Sequence, residues 1–318
     1  MIKNLPTHES LNNVALRTYF RAWSDLIEIY SDFSCNYNSE DDVGASLQNW
    51  PNEWREYLIE AQSDLQSICS LLQQSMELAL KARVCAVSPY LLLLGTSMKL
   101  ATSPTQIDFS ELRTLDAVDL PGAVNMLTNK PVSDDFIGKY TKLRSLRNKI
   151  MHLGEAGVSL EPAEVLRLAI SFYLSMWSDR HWLGDRLEFA AQTRRASLYD
   201  HKWTSPHMDV LAEWPIDIEL FQKGEYKKLF GHEKAKRRYL CHPCVSEGNA
   251  DNAGFDKLRI GTAYLDNAGK ALGCIMCGET IVVARRKCSD CEGDVIGDNG
   301  DRWDDHCHTC GTAIDEKM

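Results

Sequence analysis

Long apolar runs are missing from this sequence. The longest, such as Tyr90 to Leu94, fall far short of the roughly 20 residues a helix needs to cross a bilayer. The N-terminus also lacks a basic stretch followed by an apolar one, the pattern of a secretory leader, so the expected location is cytoplasmic. Positive charge is in deficit too. At a net charge of −10 the chain is ill suited to coating nucleic acid, and any contact with RNA has to be local. Composition also excludes disorder, because 44% of the 318 residues are hydrophobic, enough for one large core or two modest ones.

What is present is mostly helical patterning. Residues 10–34 set Tyr19, Phe20, Trp23, Leu26, Ile27 and Tyr30 on one stripe, as a core-packed helix does. Ser34 to Pro51 reads as a polar loop. Ser63 to Arg83 carries Leu65, Ile68, Cys69, Leu72, Met76, Ala79 and Leu80 along one side of a second helix. Pro89, Pro104, Pro121 and Pro131 punctuate the segment that follows, which implies short helices and loops. Pro162 opens a helix through Trp177 that is apolar nearly all round, as a central bundle helix is. A further helical stretch spans Asp185 to Ala196. Beyond it, Pro206, Pro215, Gly224 and Gly231 mark a connecting region.

One helix carries unusual chemistry. It starts at Ser133, a good N-cap, with Asp134 and Asp135 in its first turn, and stops at Gly154. Phe136, Tyr140, Leu143, Ile150 and Met151 form its apolar stripe, and Arg147 falls on that stripe. A guanidinium aimed at a core is costly unless something anionic pairs with it. His152 lies near the C-terminus, where the helix dipole favours imidazolium. Five residues apart, the two side chains diverge by about 140° on a regular helix. Either the last turn is distorted, or a second copy of the helix completes the site. The plain alternative makes Arg147 a core salt-bridge partner and His152 a C-terminal cap.

The helix with Ser75-Met76-Glu77-Leu78-Ala79-Leu80-Lys81, a divergent middle, then Arg147-Asn148-x3-His152, a glycine and a last apolar helix resembles the HEPN superfamily over roughly residues 60–180. That resemblance implies a mainly α fold, a HEPN-like helical bundle, and the four Cys-x2-Cys pairs beyond it, taken up below, add the expectation of a small β-rich zinc-ribbon module. The expected domains are an N-terminal helical extension (1–55), the bundle (56–196), a connecting region (197–233) and two tandem four-cysteine zinc ribbons (234–318). It also implies a metal-independent endoribonuclease acting as a homodimer, with no cofactor for the reaction, in which the RNA's own 2′-hydroxyl attacks the adjacent phosphate and leaves a 2′,3′-cyclic end. His152 is then the general acid or base, Arg147 the stabiliser of transition-state charge, and Asn148 the residue that orients the phosphate or the histidine. Glu77 orients Arg147, or simply pairs with Lys81 along its own helix. The family context suggests a toxin or antiviral defence effector with an antitoxin or trigger protein as partner. Two rival readings stand beside it: a non-catalytic HEPN scaffold that binds a partner, and a zinc-ribbon adaptor for nucleic acid.

The cysteines speak most plainly. Eight of eleven fall in four Cys-x2-Cys pairs: Cys241/Cys244, Cys274/Cys277, Cys288/Cys291 and Cys307/Cys310. Two such knuckles complete a tetrahedral four-thiolate shell suited to zinc, with iron the main competitor; two structural ions are expected. The second and fourth pairs share Cys-x2-Cys-Gly-x2-Ile, and the first and third are each followed by Glu-Gly, which reads as a tandem repeat. Sequential pairing across 29 and 15 residues follows; the alternative joins the two middle knuckles across ten residues and leaves the outer pairs to each other. His242, His306 and His308 are weaker ligand candidates with eight cysteines at hand. The basic runs 234–238 and 285–287 are candidate phosphate contacts or solvated faces. Cys35, Cys69 and Cys85 are expected as free thiols.

Overall fold

The computed structural model describes residues 2–37, 43–95, 106–153, 159–198, 205–249 and 260–314, with the side chains at 43, 150–153, 195 and 198 outside that description. It is mainly helical with one small antiparallel sheet near the C-terminus, and it divides into two compact units, Met1–Trp177 and Ser178–Met318. Among the described residues no helix is long and apolar enough to cross a membrane.

In the first unit a two-residue strand, β1 (Ile2–Lys3), pairs in parallel with β2 (Ile107–Asp108). The helices are α1 (His8–Tyr37), α2 (Val43–Asn49), α3 (Pro51–Glu60), α4 (Gln62–Val87), α5 (Leu120–Leu127), α6 (Asp134–Leu153) and α7 (Pro162–Met176). Helix α4 is the hub, packing against α1, α5, α6 and α7. The predicted stripes meet there: Tyr19, Phe20, Trp23, Leu26 and Ile27 of α1, and Leu65, Ile68, Leu72, Met76 and Leu80 of α4, are buried. At the small residue Ser75 the helices come close enough for its hydroxyl to donate to the Ala15 carbonyl at 2.7 Å. Tyr19 donates to the Ala169 carbonyl on α7 at 3.2 Å. Arg83 spends its guanidinium on the last carbonyls of α7, Ser175 and Met176, where a cation also complements the helix dipole.

The second unit contains α8 (Trp182–Ala191), α9 (Arg194–Leu198), α10 (Pro206–Leu220), α11 (Lys223–Phe230), α12 (His242–Gly248) and the strands β3 (Ala263–Leu265), β4 (Ala271–Cys274), β5 (Thr280–Arg285) and β6 (Val295–Gly297). The sheet runs β3-β4-β5-β6, each neighbour antiparallel. Helices α8, α10 and α11 enclose an aromatic cluster of Trp182, Trp214, Phe221, Tyr226 and Phe230. Within it Arg186 is buried against Trp182 and forms ion pairs with Asp217 and Glu213.

Four expectations are corrected by the packing. Residues 1–55 are not an extension, since α1 supplies half of the central interface of the first unit. The stretch Ser34–Pro51 is not a loop throughout: α1 continues to Tyr37 and α2 follows, while 38–42 lie outside the described residues. Nor is 197–233 a mere connection. There Pro206 sits in the first turn of α10 behind the Ser205 cap, and Gly231, at φ 73°, ends α11, so these residues punctuate helices instead of marking a loop. The helical stretch from Asp185 likewise breaks at Gln192–Thr193 and counts with the second unit.

Candidate metal centres and the Arg147 helix

Cys241, Cys244, Cys274 and Cys277 converge, and so do Cys288, Cys291, Cys307 and Cys310, with the sulfurs of each group within 4.8 Å of one another. The separations across knuckles are 3.8 Å for Cys241–Cys277 and Cys244–Cys274, 3.6 Å for Cys288–Cys310 and 3.7 Å for Cys291–Cys307. Four sulfurs about 2.3 Å from a central ion stand about 3.8 Å apart, so each cage has the dimensions of a metal–thiolate shell. The pairing is sequential. Strand β5 explains why the two middle knuckles do not combine: its six residues carry the chain about 20 Å away from Cys277 before the third knuckle begins.

The second and fourth knuckles share one backbone design. Gly278 and Gly311 take φ of 76° and 85°, which lets their amides turn back to the carbonyls of Cys274 and Cys307 at 3.1 and 2.8 Å. The amides of Cys274 and Cys307 each donate to a carbonyl five residues on, Glu279 and Thr312, at 2.9 Å. Amides aim at the sulfurs as well, Met276 at Cys274 and Thr309 at Cys307, both at 3.4 Å, which favours thiolate. The hydrogen bonds of Cys241, Cys244 and Cys277 push the Cys274 thiol far down. The first knuckle is built differently: Cys241 precedes α12, and Cys244 lies inside that helix. Thus the Glu-Gly shared by the first and third knuckles is a sequence likeness without a matching backbone.

The histidines are not in either cage. They join the two. His242 and His308 occupy the same place in Cys241-His242-Pro243-Cys244 and Cys307-His308-Thr309-Cys310, and their rings lie 4.4 Å apart. The carbonyl of Leu240, next to Cys241, can only accept, so His308 donates to it through Nδ1 at 2.7 Å, while the Leu240 amide donates to the His308 carbonyl at 2.8 Å. Burial, then the neighbouring His308 and His306, push the His242 pKa down to about 3; burial lowers His308 too. Both rings are therefore neutral packing pieces near pH 7. This junction went unread in the sequence, although the repeated Cys-His-x-Cys spelled it out.

The basic runs are largely spent on their own unit. Lys234 donates to the carbonyls of Glu219 and Phe221, Arg238 to that of Lys234, and Arg237 to Thr309 while lying over the Tyr239 ring. Arg285 and Arg286 form ion pairs with Asp294 and Asp305.

In the first unit, Ser133 caps α6 as expected, its hydroxyl accepting from the Phe136 amide at 3.2 Å. Phe136, Tyr140 and Leu143 are buried, whereas Arg147 and Asn148 are half-buried. The stripe thus opens towards solvent before Arg147, and the guanidinium needs no buried anion. It donates to the neighbouring Asn148 Oδ1 at 3.3 Å. Helix α6 runs through Leu153, and a regular helix sets positions five residues apart about 140° round its axis. The side chain of His152, and Gly154, lie outside the described residues. Glu77 does not accompany Arg147: it accepts from Lys81 at 2.9 Å and Gln73 at 3.1 Å. Burial, then the Glu77 carboxylate, raises the Tyr140 hydroxyl pKa, so Glu77 faces α6 about two turns before Arg147.

No protein-family model matches the chain, and no curated protein and no solved structure matches it.

Proposed function

We propose that the chain is a HEPN-type, metal-independent endoribonuclease, a toxin or defence effector, with two structural zinc ions in its C-terminal cages. The observation that carries the reading is helix α6. Beyond the two aspartates of its first turn it holds five cations and His152, with Lys139 paired back to Asp135 at 2.7 Å, in a chain whose net charge is −10. That is the local basic surface an otherwise acidic protein needs to meet RNA. Arg147 and Asn148, half-buried and in contact, offer donors to one phosphate. The divergence of positions 147 and 152 on a regular helix supports a dimer in which paired α6 helices supply complementary halves of the site.

In this reading a His152 imidazole takes the proton from the RNA 2′-oxygen. That oxygen attacks phosphorus, the bond to the 5′-oxygen breaks, and the leaving oxygen receives a proton from a second His152, giving a 2′,3′-cyclic phosphate and a 5′-hydroxyl. Arg147 stabilises the charge on the equatorial oxygens. Zinc at the cages leaves no position open for water and supplies folding energy only. The partners are the RNA substrate, a second copy, and an antitoxin or trigger protein.

The test is incubation with total RNA and tRNA in EDTA beside His152→Ala and Arg147→Ala, with mapping of the new 3′ ends. Cyclic ends made by the wild type alone are expected. Cleavage that persists in both variants sinks the assignment of the chemistry to Arg147 and His152, and silence both in vitro and on expression in growing cells sinks the proposal in favour of the non-catalytic scaffold. RNA binding by the wild type without any cleavage, unchanged by both substitutions, favours the zinc-ribbon adaptor.

A further inference from the structure

The C-terminal ribbon closes on itself. Strands β3 to β6 pair in order, and the chain on either side of them completes a circuit. Beyond β6, residues 306–308 run beside it: the Gly297 amide donates to the His306 carbonyl and the His308 amide to the Val295 carbonyl, each at 2.9 Å. Before β3, Tyr239 pairs with Ala263, their amides donating to one another's carbonyls at 2.8 and 3.0 Å. The two flanking segments then meet at the reciprocal bonds between Leu240 and His308. Each segment of the ring thus has a hydrogen-bonded neighbour on both sides, as in a closed sheet.

The two closing segments are also the ones the cages hold. Cys241 directly follows Leu240 and belongs to the first cage, and Cys307 directly precedes His308 and belongs to the second. Further contacts reinforce the seam. Arg237 donates to Thr309, inside the fourth knuckle, at 3.1 Å, and the Leu240 side chain packs over Gly311, its Cδ1 3.5 Å from where a Cβ would stand. The His242 ring lies against that of His308. A cage without its ion has four thiols and nothing to hold them together. Its knuckle then leaves the seam, and the other cage loses the segment that positions it. Filling one cage has the converse effect: it fixes one side of the seam, so less ordering is left for the second ion to bring about.

We infer that the two cages load as one. The ion in either raises the affinity of the other, and the ribbon passes from empty to doubly filled without a stable half-filled form. Binding free energies are reciprocal, so the gain is the same whichever cage fills first. The ribbon answers to metal supply as a single switch. The inference rests on the reading of the cages as metal sites and is independent of the ribonuclease chemistry on α6.

The test is native mass spectrometry of the full chain equilibrated with zinc buffered by a competing chelator, which counts chains holding no ion, one and two. At half loading, equal and independent sites leave about half of the chains with one ion, whereas a coupling of about 100-fold keeps that species near a tenth, the result expected here. His308→Ala should raise the one-ion species about threefold, and Arg237→Ala, outside both cages, about twofold. Lys270→Ala, exposed between β3 and β4, should leave it unchanged. A one-ion species at half or more in the wild type overturns the inference, and so does a distribution that neither seam variant moves. A chain that takes up no zinc overturns the metal reading and the inference with it, whereas two ions taken up in independent steps overturn the inference alone.

Discussion

The α1–α4 pair and the C-terminal ribbon solve the same problem by opposite means. Helix α1 is 30 residues long and buries a stripe of large side chains, many of them aromatic, against α4. Each fully buried Leu, Ile or Phe contributes about 1.5–3 kcal/mol, enough in sum to offset the ordering of two long helices. The longest strand of the ribbon has six residues, and its buried apolar side chains, Tyr239, Leu240, Ala263, Tyr264, Leu272, Ile275, Met276, Ile281, Val283, Val295 and Ile296, are spread over four short strands and four knuckles with no long stripe among them. The difference teaches that the first unit is built on side-chain volume, whereas the ribbon gathers eight cysteines into two groups that could each hold an ion.

The sharpest way to break this comparison is to take the metal away. Each cage contributes on the order of 10 kcal/mol when zinc binds, so strong chelation should strip amide protection from 263–297 and 306–314 while α1 and α4 keep theirs in hydrogen exchange. Metal analysis should give close to two ions per chain beforehand. Equal loss of protection in both regions would show that the two are not held separately. The converse cut is Trp23→Ala, at a ring 1% exposed between α1 and α4. It should lower the stability of the first unit by about 3–5 kcal/mol in denaturant unfolding, with metal content unchanged. A smaller effect sharpens the ribbon side: His308→Ala removes the bond to Leu240 that ties one knuckle to the other. A loss of about 1–2 kcal/mol is expected, together with faster metal release from both cages to a chromogenic chelator. Release accelerated at the Cys307 cage alone would mean that the junction does not link them.

The parts of the fold that could be read in advance share one property: their information is local. The stripes of α1, α4 and α7, the Ser133 cap and the four knuckles each depend on residues a few positions apart, so spacing revealed them. The second unit was harder. Helix α10 buries residues on more than one side, Met208, Val210, Leu211, Trp214 and Asp217 among them, so no single stripe stands out, and Pro215 in its interior suggests a loop. The site on α6 was legible as a motif but not as an arrangement. The stripe aims Arg147 at the core, yet packing leaves the helix half open there, and of the two uses of Glu77 the structure shows the pair with Lys81 along its own helix.

By itself the sequence determined that this protein is mainly helical, that eight cysteines near its C-terminus form two groups able to hold a metal, and that one helix combines Arg147, Asn148 and His152. Covalent spacing and helical periodicity suffice for that, because both act within a few residues. How His242 and His308 fasten one knuckle group to the other, where the chain divides, and how the rings of Phe33, Tyr37, Trp50 and Trp54 line up were decided only by tertiary structure. Those outcomes depend on which distant segments the core draws together, and no local pattern records that choice.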